Sequence, residues 1–156
     1  MSKEAVIPNN APAPLGPYSP AVKNGNMLFL SGQLGINPAD GKLPETATEQ
    51  AEQSLKNIEN LLAAAGATTD NVVKTTVLLA DIADFAAVNE VYAKHFEAPF
   101  PARSAFQVAA LPAGALVEIE AGPFLVLSAV TRDAVDELGL AEGEPATATV
   151  KATSVM

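Results

Sequence analysis

Three charged side chains interrupt an otherwise apolar stretch, PFPARSAFQVAALPAGALVEIEA, at residues 99–121: Arg103, Glu118 and Glu120. A guanidinium is a planar fork that grips a carboxylate through two parallel hydrogen bonds. A nearby carboxylate can position or deprotonate a water, or relay protons. An Arg and a Glu in one cleft therefore suit hydrolysis of an already electrophilic carbon in a small organic acid. Such a reaction requires neither a metal nor a covalent nucleophile. The competing reading is a structural ion pair between Arg103 and a Glu, because ion-pair networks also place charges in apolar surroundings. Periodicity alone leaves both open.

The remaining composition narrows the chemistry. The 156 residues include no Cys and one His, His95. Disulfides, thiolate nucleophiles, Cys-ligated zinc and His-rich metal sites are thereby excluded, and no cofactor or metal is expected. His95 itself reads as a helix-end residue interacting with the helix dipole. Hydrophobic residues make up 49% and charged residues 17%, the balance of a globular domain with a sizeable core. A net charge of −9 repels phosphate backbones, so no nucleic-acid partner is expected. No apolar run reaches about 18 residues, so no membrane span is expected. The N-terminal MSKEAVIPNNAPAP lacks the apolar core of a secretory signal, and a cytoplasmic location is the expectation.

Elements to carry the charges are well signalled. Residues 1–17 are rich in Pro and Ala and are expected to lie extended on the surface. Asn24-Gly25 predicts a hairpin turn leading into the apolar strand Met27–Leu30. Thr46 and Glu49 form a capping-box pair. Ala51, Leu55, Ile58, Leu62 and Ala65 then recur at 4-3-4-3 spacing, and Gly66 stops the helix. NVVKTTVLLA at 71–80 is a strand. Asp84 is a candidate cap for a second helix bearing Phe85, Val88, Tyr92 and Phe96 on one face, stopped by Pro99 and Pro101. Strands are expected at 102–109 and 116–121. The order β-β-α-β-α-β-β predicts an α+β domain, one sheet with both helices on one face.

Period-two alternation puts Arg103, Ala105, Gln107 and Ala109 on one face of their strand, opposite Ala102, Ser104, Phe106 and Val108. Glu118 and Glu120 likewise oppose Val117, Ile119 and Ala121. Each strand is expected to turn its apolar face to the helices and its charged face away. That second face carries too many small and apolar residues for open solvent. It is expected to be closed by other copies of the chain, leaving the charges in a cleft between subunits.

Four ordered motifs add a family likeness. GPYSPAV (16–22), FLSGQLG (29–35), VVKTTVLLADIADFAAVNEVYAKHF (72–96) and FPARSAFQVAALP with VEIEA (100–121) together resemble the RidA/YjgF family of reactive-intermediate imine deaminases. The resemblance implies a chorismate-mutase-like α+β fold and a homotrimer with clefts between subunits. It implies hydrolysis of enamine and imine acids, such as 2-aminoacrylate and 2-iminobutanoate, to 2-oxo acids and ammonia. It further implies that Arg103 binds the substrate carboxylate and that Glu118 handles water or protons. Tyr18, Ser31, Gly32 and Asn89 are implied to line the cleft, with Ala105 where many members carry Cys. Members have also been linked to RNA cleavage and chaperone-like activity, and the acidic charge argues against the former.

Gly122-Pro123 marks a boundary, predicting a domain of residues 1–121 and an appendage of 122–156. In the appendage FLVLSAV reads as a strand, RDAVDEL as a short helix and EPATATVKATSV as a final strand, a β-α-β unit. Residues 130–156 resemble half of a Mop/TOBE molybdate-binding domain. The likeness implies molybdate as a candidate ligand, with Thr131, Arg132, Lys151 and Ser154 at the matching positions, and an oxyanion-binding or assembly role as the alternative function.

Overall fold

Residues 3–125 are described by the structure, a computed structural model. The expectations for the rest of the appendage lie outside the described residues, including those for Thr131, Arg132, Lys151 and Ser154. Strand β1 is Glu4–Val6, β2 Ala21–Asn24, β3 Met27–Leu30 and β4 Gln33–Leu34. Helix α1 (Ala47–Ala64) precedes β5 (Lys74–Leu79), and α2 (Phe85–Tyr92) precedes β6 (Ala102–Gln107). Strands β7 (Val117–Ala121) and β8 (Phe124–Leu125) follow. The class is α+β, as predicted.

Two four-stranded sheets replace the single expected one, in orders β1-β2-β3-β8 and β4-β7-β5-β6. The β5–β6 pair is parallel and the other pairs are antiparallel. The ladder breaks at Ser31-Gly32, between β3 and β4. Pro20 stands opposite that break and has no N–H with which to extend the pairing. Its carbonyl instead accepts from the Ser31 N–H at 2.9 Å. The hairpin is shifted by one residue from its sequence signal. Asn24 pairs with Met27, so Gly25 and Asn26 form the turn, and only Gly25 is left-handed, with φ 60°. That is the φ pattern of a type II′ turn.

Helix α1 starts with the predicted capping box. The Glu49 N–H donates to Thr46 Oγ1 at 3.3 Å, and the Thr46 N–H donates to Glu49 Oε2 at 3.2 Å. Ala51, Leu55, Ile58 and Leu62 are fully buried against Val77, Val117 and Ile119. A second, polar stripe of α1 is buried too. Ser54 Oγ donates to the Gln33 carbonyl at 2.7 Å, and Asn57 Nδ2 donates to the carbonyls of Leu34 and Ile36 at 3.0 and 2.9 Å. Gln50 donates to the Pro44 carbonyl and accepts from the Leu116 N–H, at 2.8 and 2.7 Å. These side chains fix the two-residue strand β4, which pairs Leu34 with Glu118. A buried polar group left unpaired costs about 1–3 kcal/mol, so this stripe locates β4 firmly.

Asp84 does not cap α2. It already has helical φ/ψ and makes no side-chain cap bond. Asp81 does the capping instead. Its Oδ1 accepts from the Ala83 N–H at 2.9 Å and opens a 3₁₀ turn, Ile82–Asp84, that runs into the helix.

Beyond α2, His95 ties the two helices together: Nδ1 lies 2.7 Å from Glu59 Oε1 and Nε2 lies 3.0 Å from Glu52 Oε2. Burial opposes its charged form, but the bonds to Glu52 and Glu59 outweigh burial and raise its pKa. The bond to His95, then that to Lys56, lowers the pKa of Glu52. A raised imidazole pKa stabilises the fold fully below the unfolded imidazole range, and that contribution is lost as pH rises through the folded value. The lowered Glu52 pKa acts oppositely: its contribution is present above the ordinary carboxylate range and is lost in stronger acid. The melting temperature gap between the native protein and His95→Gln is therefore expected to be widest at mildly acidic pH. The corresponding gap in unfolding free energy should shrink by about 1 kcal/mol in alkali, allowing for the partly exposed carboxylates. A gap independent of pH would rule out a charged clamp.

Candidate active site

Backbone register places the charges differently from the sequence expectation. Across the second sheet Arg103 pairs with Thr75, and Thr75 with Ala121; Leu78 pairs with Glu118, and Thr76 with Glu120. Arg103 and Ala105 therefore share the helix-covered face with Thr75, Val77 and Ile119. Glu118 and Glu120 share the opposite face with Thr76, Leu78, Ser104 and Phe106. The expectation that both charges turn away from the helices is corrected for Arg103. Its strand, β6, is the edge of the sheet, and α2 covers that edge with aromatic rings that receive a guanidinium. The structural pair between Arg103 and Glu118 or Glu120 does not form within one chain.

On the helix side, the Arg103 guanidinium carbon lies 4.7 Å from the centre of the Tyr92 ring and 5.6 Å from that of Phe85. Both distances are within cation–π range. Among the described residues, no hydrogen bond or ion pair takes up its N–H groups. Asn89, half-buried, is four residues after Phe85 and three before Tyr92, so it lies on the same ridge of α2. Ala105 packs at the edge of the core two residues after Arg103. These residues form one cluster, a guanidinium held against two aromatic rings.

A second cluster gathers around Glu118. A Cβ added to Gly32 would collide with Glu118 Oε1 and would stand 2.8 Å from Cδ. Glycine leaves room there for the carboxylate to lie directly against the backbone. Burial first, and the charge of Glu120 second, raise the Glu118 pKa. Ser31 Oγ donates to the Ser19 carbonyl at 2.8 Å, which joins the Ser31-Gly32 break to the N-terminal arm. Tyr18 is 46% exposed, and its hydroxyl accepts from the Leu15 N–H at 3.1 Å. Pro12, Leu15, Tyr18, Pro20, Gly32 and Ile36 line a shallow hollow beside them. The structure thus brings Tyr18, Ser31, Gly32 and Glu118 into one region and Asn89, Arg103 and Ala105 into another. The two regions lie on opposite faces of one sheet.

Sequence patterning assigned Phe85 and Tyr92 to a core stripe and passed over Thr75, whose hydroxyl meets the Tyr92 hydroxyl at 2.8 Å. Two signals point to these residues: a Tyr in a buried stripe needs a partner for its hydroxyl, and a Thr sits in the facing strand.

Residues 8–122 match the family described as Endoribonuclease L-PSP, and residues 107–156 match the TOBE domain. Reactive Intermediate Deaminase A, chloroplastic, of Arabidopsis thaliana is 56% identical over 121 residues, which cover 77% of this chain and 65% of that protein. The 2-iminobutanoate/2-iminopropanoate deaminase of Homo sapiens is 54% identical over 122 residues, covering 78% of this chain and 89% of that one. Among solved structures, RidA from the Antarctic bacterium Psychrobacter sp. superposes with a TM-score of 0.76 at 46% identity, covering 78% and 99% of the two chains. The chain belongs to the Endoribonuclease L-PSP family, the one that contains the RidA proteins.

Proposed function

We propose that this protein hydrolyses small enamine and imine acids, such as 2-aminoacrylate and 2-iminobutanoate, to 2-oxo acids and ammonia. The observation that carries the reading is the half-buried Arg103, whose N–H groups no described residue satisfies. A guanidinium held by ring faces keeps its N–H edge free, and a substrate carboxylate is the acceptor that matches that edge. The names of the curated relatives support the same reaction. Tyr18, Ser31, Gly32, Asn89 and Ala105 line the substrate cavity. The Arg103 and Glu118 halves meet when a neighbouring copy lays its open face against the α2 edge, and the assembly is a homotrimer. Exposed Phe29 and Phe106 suit burial in such an interface. The working location is the cytoplasm, and no described helix is long and apolar enough to cross a membrane. The deaminase domain is residues 1–121, and 122–156 form the TOBE-like appendage. No observation favours an oxyanion-binding role for that appendage.

An enamine such as 2-aminoacrylate first becomes its imine, its terminal carbon gaining a proton from water and its nitrogen losing one to water; Arg103 holds the carboxylate and so fixes the imine carbon. Glu118, as carboxylate, takes a proton from water as the new C–O bond forms. The C=N electron pair moves to nitrogen, which receives the proton and gives a carbinolamine. Glu118 then carries the hydroxyl proton to nitrogen, the C–N bond breaks, and ammonia leaves a 2-oxo acid. Catalysis requires ionised Glu118, so kcat/KM should fall on the acid side with an apparent pKa above that of an ordinary Glu.

The test is 2-oxo acid formation from 2-aminoacrylate generated in situ, followed against pH. Acceleration over the spontaneous reaction supports the proposal; a rate equal to it rejects the proposal. Glu120→Gln should move the acid limb to lower pH, because the Glu120 charge helps to raise the Glu118 pKa. An unmoved limb would remove Glu118 from the proton-handling role.

A further inference from the structure

We infer that Tyr92 is a positioning residue for this reaction, its ring the platform that aims the Arg103 guanidinium at the substrate carboxylate and its hydroxyl locked in place by Thr75. The inference rests on the proposed hydrolysis of imine acids. Thr75 and Arg103 stand directly opposite each other across the parallel β5–β6 pair. Tyr92 comes down from α2 onto that pair. Its hydroxyl and Thr75 Oγ1 are 2.8 Å apart, with Thr75 1% and Tyr92 5% exposed. Phe96 braces the ring, at 4.6 Å between centroids and 33° between planes. The platform is thus fixed at its tip and packed against a second ring, and a fixed ring has one place to hold a cation.

The geometry of the two partners is compatible. An aromatic ring attracts a guanidinium through its flat face, whereas a carboxylate binds along its N–H edge. Tyr92 and the substrate therefore use different parts of the same group and do not compete. Arg103 has many rotamers of its own, and ordering such a side chain on binding costs free energy. A platform that holds it before substrate arrives removes part of that cost, which appears in substrate affinity rather than in the chemical step.

The experiment compares native protein, Tyr92→Leu, Tyr92→Phe and Thr75→Val with two substrates, 2-iminobutanoate and its uncharged carboxamide. For the acid, Tyr92→Leu should raise KM about tenfold and leave kcat within about twofold. Thr75→Val and Tyr92→Phe, which keep the packing and lose only the lock, should raise KM about threefold. For the carboxamide none of the three should change kcat/KM, so the preference for acid over amide falls by the same factors. Should Tyr92→Leu fail to fold, the other two variants decide. Equal losses on acid and amide, or an unchanged KM for the acid in folded Tyr92→Phe and Thr75→Val, would make Tyr92 an ordinary core residue and overturn the inference. Native protein that hydrolyses neither substrate would instead reject the imine-acid reading itself, so the two failures are separable.

Discussion

Arg103→Lys should cost about two orders of magnitude or more in kcat/KM for 2-iminobutanoate and leave the fold intact. Lys keeps the positive charge but presents no planar fork, and it cannot lie flat on Tyr92. Two charge-assisted hydrogen bonds, each worth about 1.5–3 kcal/mol, become at most one, and the stacked orientation is lost. A loss of about 3 kcal/mol in transition-state binding corresponds to a rate factor of about 10². Arg103→Ala should fall further. Stability should change little, because no described residue relies on Arg103 for an ion pair and its strand is at the sheet edge. Coupled detection of the 2-oxo acid together with a thermal melt checks both halves of the expectation. A Lys variant within a few-fold of native activity would show that charge alone suffices and that the bidentate anchor is wrong.

Two glycines three residues apart should respond to the same substitution in opposite ways. In Gly32→Ala the new methyl meets Glu118, with Cδ at 2.8 Å and Cγ at 3.1 Å. The obstacle is the end of a flexible side chain, so Glu118 swings aside and the fold survives with a loss of about 1 kcal/mol. The carboxylate leaves its place, and activity should fall by about 10²-fold, in the range lost with a misplaced general base. In Gly35→Ala the methyl meets the backbone of Gln50, whose carbonyl carbon would be 2.8 Å away. That backbone belongs to α1, where the Gln50 N–H is bonded to the Thr46 carbonyl at 3.0 Å, and it cannot swing aside as a side-chain tip can. Gly35→Ala should lose about 3 kcal/mol of stability. Denaturant titration and kinetics on the two variants separate the outcomes. A fully active Gly32→Ala, or a Gly35→Ala as stable as the native protein, would contradict the close approaches on which these expectations rest.

Much of the architecture was legible because local signals agreed with the tertiary answer. The capping box at Thr46, the stripe from Ala51 to Leu62, and the strands around Thr76, Ser104 and Ile119 were readable from spacing. Strands of two or three residues were not, since Gln33-Leu34 owes its place to buried amides on α1 and not to its own pattern. The site divides in the same way. Arg103 and Glu118 stood out as charges in apolar sequence, and alternation correctly separated Glu118 from Ile119. Alternation cannot say which face of an edge strand the helices cover, and the small residues around Arg103 carry no preference. That decision belongs to Phe85 and Tyr92 on α2, the element before the strand. The use of Asp81 instead of Asp84 as a cap was hidden for a related reason: both spacings are acceptable, and the intervening 3₁₀ turn chooses between them.

The placement of Arg103 and Glu118 on opposite faces of one sheet has a genetic consequence in the proposed assembly. Each copy lends its anchor to one cleft and its carboxylate to another, so no copy owns a complete site. An allele that loses both functions yet still assembles would damage clefts shared with healthy copies and would behave as partly dominant. Two alleles that each lose one function would complement each other, because a mixed assembly can still unite an intact anchor with an intact carboxylate.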